Sequence, residues 1–309
     1  MQGVVAAIPL CAALFVLGCH PAAPVEKAFE DAAKPAAASS SITIAVDAAV
    51  AAPVDPPTIT RAKSIGHTSV VFKVTFAGGN EAAFKPESHR GKTRYRGEIA
   101  AYRLGQSLGL PNVPAALFRR FRATELRSVL AGESAHLFDH EVVVDADGGI
   151  KGAIIPWIKG LEFLPLSASS ALLEKDPALA TQISTLIVFD VVTGNWDRWS
   201  GGNIGFDRSA SRVLFIDNDG AFFDPIPAGP AEANFALLRK MEHFSRSFVT
   251  RLHALTFAAL ASAIGEEAPG VPLLSTHVLE AAEKRTKNAL SIIDAKIAAG
   301  GEATVLSLE

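Results

Sequence analysis

Cysteine is almost missing: the 309 residues hold two, Cys11 and Cys19. Neither a disulfide framework nor a cysteine-ligated zinc site can exist beyond them, so chemistry in the body of the chain must use oxygen and nitrogen donors. An excess of one charge is missing too. The 29 Lys+Arg against 32 Asp+Glu leave a formal net charge of -3, which gives no general attraction to polyanions and no support for nucleic-acid binding. There is no Gly-x-Ser-x-Gly elbow and no cysteine downstream of Cys19, so hydrolase chemistry on a serine or cysteine nucleophile has no footing. No internal repeat, collagen-like period or series of long apolar runs is present, which excludes fibrous and multi-span membrane classes. With aromatics at 7% and charged residues at 20%, what remains is a soluble globular composition, long enough for one large domain or two small ones.

The apolar run Val4–Gly18 is fifteen residues long, short of the ~20 of a membrane span and suited to a signal-peptide core. It ends in Val16-Leu17-Gly18-Cys19, which resembles a bacterial lipobox. That resemblance implies cleavage before Cys19, lipidation of Cys19, and an exported bacterial lipoprotein held to a membrane through its acyl chains. His20 stands where an inner-membrane retention signal places Asp, so the outer membrane, on its periplasmic or surface face, is the expected location. Residues 1–18 are read as signal peptide, 19–58 as an Ala/Pro/Ser-rich tether, 59–299 as the folded domain and 300–309 as a tail.

In the folded part, Val70, Phe72, Val74 and Phe76 alternate with Lys73 and Thr75, the period of a strand with one buried face. A turn at Gly78-Gly79-Asn80 returns the chain through Glu81–Lys85, and Pro86 stops the pairing. Lys85 then points away from Phe84. From Arg96 to Leu108, Ile99, Ala101, Leu104 and Leu108 recur at helical spacing, with Gly109 and Pro111 as the stop and Glu98 in the first turn. Ala153–Ile158 reads as a short strand broken by Pro156 and leaving a sheet. Leu179–Val192 reads as a helix, a hairpin turns about Ser209-Ala210-Ser211, and everything after it is expected to be helical. The order is α+β and two-lobed, with an N-lobe at about 59–158, a C-lobe at about 159–299, and a ligand expected in the cleft between them.

The stretch Gly194-Asn195-Trp196-Asp197-Arg198 with Asn203, followed by Ile216-Asp217-Asn218-Asp219, has a phosphoryl-transfer layout. Asp197 would orient an acceptor hydroxyl and take its proton, and Asn203 and Asp217 would hold a divalent cation bridging phosphates. Their hard oxygen donors suit Mg or Mn. Lys85 would neutralise phosphates, and Glu98 would fix that lysine or approach the cation. Asp219 reads as a turn residue, and Arg198 as a brace for a nearby carboxylate. His136 and His140 are four apart, but Leu137 stands where a zinc-protease motif needs Glu, so both read as surface residues.

Taken together, Phe84-Lys85-Pro86, Arg96-Gly97-Glu98-Ile99-Ala100-Ala101-Tyr102-Arg103-Leu104 with Val113-Pro114, the Asp197 segment, and Ile216-Asp217-Asn218 with Phe222 resemble the secretory-pathway kinases of the Golgi casein kinase and four-jointed type. More distantly they resemble HipA and the phosphatidylinositol kinases. The resemblance implies a two-lobed protein-kinase-like fold, with a small β-rich N-lobe and a larger helical C-lobe. It also implies ATP as ligand and transfer of its γ-phosphoryl group to a hydroxyl, in this family a protein Ser or Thr; a sugar or lipid hydroxyl stays open. The loop Ser64-Ile65-Gly66-His67-Thr68-Ser69 would cover the nucleotide through Gly66, His67, Thr68 and Ser69. Trp157 would lie against the adenine or in the core. Trp199 stands where relatives have His, and Asn203 follows Asp197 by six residues rather than the about five of common kinase loops. A nucleotide-binding pseudokinase or scaffold is therefore a second reading, and a metal-dependent phosphohydrolase built on Asp197, Asp217 and Asp219 a third.

Overall fold

The structure is a computed structural model that describes residues 58–66, 69–163, 176–198 and 202–308. Five antiparallel strands build the first layer: β1 (Ile59–Ser64), β2 (Phe72–Phe76), β3 (Glu81–Pro86), β4 (Leu117–Arg122) and β5 (Gly149–Pro156), in the order β1-β2-β3-β5-β4. Period-two alternation gathers Phe72, Val74, Phe84, Phe121 and Ile150 on one face. Helices α2 (Ala123–Ser128) and α3 (Gly132–Glu141), separated in sequence from α1 (Tyr95–Ser107) by β4, cover that face with Leu126 and Phe138. Phe84 meets Phe121 edge to face at 4.9 Å between centroids, a geometry that adds about 0.5–1.5 kcal/mol beyond burial. With Phe84 committed to this core, Ala83 and Lys85 emerge on the opposite face, towards the cleft.

The second part holds a three-stranded sheet, β6 (Glu162–Phe163), β7 (Ile204–Asp207) and β8 (Arg212–Phe215), in that order. Around it lie α4 (Pro177–Thr193), α5 (Ala228–Lys240), α6 (Arg246–His253), α7 (Phe257–Ile264), α8 (Thr276–Gly300) and α9 (Glu302–Val305). Helix α4 starts where the Asp176 carboxylate accepts the Leu179 N–H at 3.0 Å, with proline in its first turn. It is buried on nearly all sides, as its continuous apolar sequence requires. Helix α1 contributes Tyr95, Ile99 and Leu104, and its C-cap Leu108 adds to them, in the same core as Phe189, Val192, Leu260 and Ile264. The helix that carries Glu98 therefore packs into the core of the larger part, while Lys85 comes from the sheet.

Several expectations need correcting. The connector expected at Ala153–Ile158 is the end of β5, which starts at Gly149 and pairs with β3 on one side and β4 on the other; Gly149 and Gly152 conceal its period. The region after residue 225 is not helical throughout, because β9 (Glu266–Ala268) and β10 (Val271–Pro272) form a hairpin between α7 and α8. The expected tail folds as well. Val305 and Leu306 are buried, and the Phe244 N–H donates to the Val305 carbonyl at 2.8 Å, so residues 301–308 close over the start of α6. The expected signal peptide, tether and Cys19 lie outside the described residues, except that the tether's last residue, 58, is described.

Candidate active site

Three separate segments deliver charged side chains to one place. Lys85, the penultimate residue of β3, donates from its amine to Glu98 Oε1 at 2.5 Å and to the Asp217 carboxylate, and lies 3.4 Å from Asp219 Oδ2. Burial works against the Lys85 ammonium, but the charges of Glu98, Asp217 and Asp219 outweigh it and hold its pKa well above the lysine norm. For Glu98, burial prevails over Lys85 and raises the carboxyl pKa; for Asp217 the charge of Lys85 overcomes burial and lowers it. Asp217 adopts φ 57 just after β8, which turns its carboxylate out of the strand line and into the cleft, where the side chain is 39% exposed.

Close backbone approach makes this convergence possible. A Cβ at residue 97 would stand 2.6 Å from the Ala221 carbonyl oxygen and 2.9 Å from that of Asn218, so only glycine lets the first turn of α1 rest on the Asp217 turn. Arg198 fastens the same turn from below. Fully buried, it donates to Asp190 Oδ2 at 3.0 Å, to the Asn203 carbonyl at 2.6 Å, to Asn218 Oδ1 at 2.6 Å, and to the Ile216 carbonyl. The brace expected for Arg198 is thus a knot joining α4, the start of β7 and the Asp217 turn.

The cleft encloses about 490 Å³, within the roughly 300–1,000 Å³ of small-ligand sites. Gly66, Lys85, Glu98, Trp157, Asp217 and Asn218 are among its walls. Trp157 is 36% exposed, with the Lys73 amine 4.4 Å from its ring centroid, so it belongs to the cleft wall and not to the core. Ser69 donates from its hydroxyl to Asp219 Oδ2 at 2.9 Å. His67, Thr68 and Trp199 lie outside the described residues.

Asp197 and Asn203 stand beside this cleft without being part of its described wall. The Asp197 N–H donates to Asn195 Oδ1 at 3.2 Å, and its carbonyl accepts from Asn203 Nδ2 at 2.9 Å. The amide NH2 of Asn203 thus clasps the Asp197 loop, and the cation role expected of this residue would fall to its Oδ1. Asp197 Oδ2 lies 3.8 Å from Arg94 Nη2. Asp219 is more than the turn residue expected: its side chain is 4% exposed and it pairs with Lys85 and Arg94. His136 and His140 are exposed on α3, with ring centroids 4.0 Å apart. The sequence reading assigns no role to Arg94, Gly97 or Asn195, although the last two stand inside its motifs. Gly97 alone had a visible signal, a glycine inside a helix first turn.

Around the cleft mouth the carboxylates of Glu98, Asp197, Asp217 and Asp219 outnumber the cations Lys85 and Arg94 by two, an excess that a divalent cation balances. Among the described residues no three His, Cys, Asp or Glu side chains converge as a ready-made metal cluster. The donor set fits an ion that takes one or two carboxylates and completes its shell with phosphate oxygens and water, as Mg does.

No protein-family model matches the chain, and no curated protein matches it in sequence. Solved structures do match. A crystal structure of the Golgi casein kinase with Mn/ADP bound superposes with a TM-score of 0.59 at 17% identity, covering 81% of this chain and 76% of that one. A further structure of the Golgi casein kinase gives the same values. The structure of hydra Fam20 with sugar gives a TM-score of 0.61 at 17% identity, covering 81% of this chain and 88% of that one. The chain has the two-lobed α+β, kinase-like fold of the Golgi casein kinase and hydra Fam20.

Proposed function

We propose that this protein is an ATP-dependent phosphotransferase, an atypical kinase, that moves the γ-phosphoryl group to a hydroxyl acceptor, a protein Ser or Thr before a sugar or lipid. The observation that carries this reading is the meeting of Lys85, Glu98 and Asp217 on one cleft wall, from a strand, a helix and a turn distant in sequence. Lys85 binds the α- and β-phosphates, Glu98 orients the lysine, Asp217 holds the cation, and Trp157 lies against the base. Asp197 orients the acceptor hydroxyl and takes its proton. The cation, Mg or Mn, supplies neutralisation of phosphate charge; that a Golgi casein kinase of like fold was solved with Mn/ADP supports this ligand pair. The Val16-Leu17-Gly18-Cys19 motif supports an exported lipoprotein anchored through Cys19, favouring the outer membrane; incorporation of labelled palmitate, lost in Cys19→Ser, tests it.

One observation favours a second reading. Asn203 follows Asp197 by six residues rather than the about five of common kinase loops, which suits a protein that binds nucleotide without transferring phosphate. The assay is the full chain with γ-labelled ATP, Mg or Mn, and protein, sugar and lipid acceptors, beside Lys85→Ala and Asp217→Ala. Transfer lost in both variants supports the kinase. Nucleotide-induced thermal stabilisation without transfer supports the pseudokinase, and phosphate release indifferent to Lys85→Ala supports a phosphohydrolase.

A further inference from the structure

The proposed chemistry leaves the second acidic residue of the Asp217 turn without a task. The side chain of Asp219 is 4% exposed and is not part of the described cleft wall; its carboxylate is turned to protein partners. Its direction is set by a pinned backbone. The Ala221 N–H donates to the Asn218 carbonyl at 2.9 Å, the Phe222 N–H donates to the Thr193 carbonyl at 2.7 Å, and Asn218 Nδ2 donates to the Phe215 carbonyl at 2.7 Å.

The two carboxylate oxygens face different ways. Oδ2 accepts the Ser69 hydroxyl at 2.9 Å and lies 3.4 Å from the Lys85 amine, both on the sheet side, where the loop from β1 brings Gly66 to the cleft. Oδ1 accepts from Arg94 Nη2 at 2.5 Å, and Arg94 Nε donates to the Asp219 carbonyl at 3.2 Å. That pair of hydrogen bonds aims the guanidinium, which lies 5.2 Å from the Trp196 ring centroid and keeps Nη2 3.8 Å from Asp197 Oδ2. Ser69 and Arg94 are 150 and 125 residues from Asp219 in sequence, so one buried carboxylate joins the nucleotide loop to the acceptor side of the site.

We propose that Asp219 is a positioning residue that couples the two halves of the reaction: through Ser69 it fixes the chain entering β2 beside Lys85, and through Arg94 it sets Asp197. The inference rests on the phosphotransferase reading above. Because the two oxygens are divided between partners, the two effects separate. Asp219→Asn can still accept the Ser69 hydroxyl with its one carbonyl oxygen, but it then turns an NH2 towards the guanidinium of Arg94.

The test is ATP affinity by calorimetry, with MnATP as probe, together with steady-state label transfer, on the full chain and its Ser69→Ala, Arg94→Met, Asp219→Ala and Asp219→Asn variants, each checked for folding by circular dichroism. Asp219→Ala and Ser69→Ala are each expected to weaken MnATP binding about tenfold, the worth of one hydrogen bond to a charged group. The double variant should be no weaker than Asp219→Ala alone, since both remove the same bond. Asp219→Asn should regain most of the affinity while its kcat stays as low as that of Arg94→Met, about tenfold or more below the parent. A merely structural role would move affinity and kcat together. Additive losses in the Ser69/Asp219 pair, or equal recovery of affinity and kcat in Asp219→Asn, overturn the inference while leaving the phosphotransferase reading intact. A parent chain that neither binds MnATP nor transfers label overturns both. A parent that binds MnATP without transferring label overturns the coupling to Asp197.

Discussion

Removing the Lys85 ammonium should expose how much buried negative charge this fold carries. In Lys85→Met the stem is replaced at similar volume, so packing changes little and the electrostatic loss dominates. Asp217 is 39% exposed and can turn to water, and Asp219 keeps Arg94 and Ser69. Glu98 is different: its side chain is 3% exposed, and Lys85 is the cation it touches. Breaking a buried pair on one side costs about 3–5 kcal/mol, and with two of the three carboxylates compensated the lower end is expected, about 3 kcal/mol. For a folded body of this size that is a Tm drop of roughly 6–12 °C. The pH dependence has a definite sign. Burial already raises the Glu98 pKa in the folded state, and without Lys85 it rises further. A group whose folded pKa lies above its unfolded value adds stability that is present in full below the unfolded pKa and lost as pH rises through the folded pKa. The deficit of Lys85→Met should therefore be largest near pH 8 and shrink as pH falls towards the ordinary glutamate range. Adding Glu98→Gln should recover part of it at pH 8. Urea unfolding of the parent, the single and the double variant at pH 8, 6.5 and 5 measures this. A deficit below about 1 kcal/mol, or one that does not change with pH, refutes the reasoning.

Gly97→Ala places a methyl 2.6 Å from the Ala221 carbonyl oxygen, and since the obstacle is backbone, α1 must lift; a loss of about 1–3 kcal/mol and weakened ATP binding are expected from urea midpoints and calorimetry. Arg198→Lys cannot reach Asp190, Asn203, Ile216 and Asn218 together, so it should lose about 3–5 kcal/mol despite keeping the charge; a urea midpoint within error of the parent would dismiss the knot. Asp197→Asn should lower label transfer roughly 10²–10⁴-fold with the KM for ATP nearly intact, and unchanged turnover would remove Asp197 from the role of base.

What could be read in advance was what one buried face imposes on neighbouring residues. The β2–β3 hairpin announced itself because Phe72, Val74 and Phe84 all go to one side, and the same alternation sent Lys85 to the other. Helix α1, helix α4 and the β7–β8 hairpin were legible for similar reasons. Strands β1 and β4 were not, because they are edge strands whose exposed Arg61, Arg120 and Arg122 break the apolar rhythm. The partners of Asp219 and Arg94 were out of reach for a different reason. A charged residue in a turn has the same local appearance whether it faces water or, as here, closes an ion pair across 125 positions of sequence. Asn203 could be placed by motif spacing, but that its NH2 holds the Asp197 carbonyl, leaving the cation role to Oδ1, could not.

The central claim is that Lys85 and Asp217 serve one nucleotide and its cation. Calorimetric titration of ATP into the full chain, with and without Mn, and into Asp217→Asn and Lys85→Met below their unfolding temperatures, tests it most directly. The account predicts binding that requires Mn and is lost by about tenfold or more in each variant. ATP affinity that is indifferent to Mn and unchanged in both variants would contradict it.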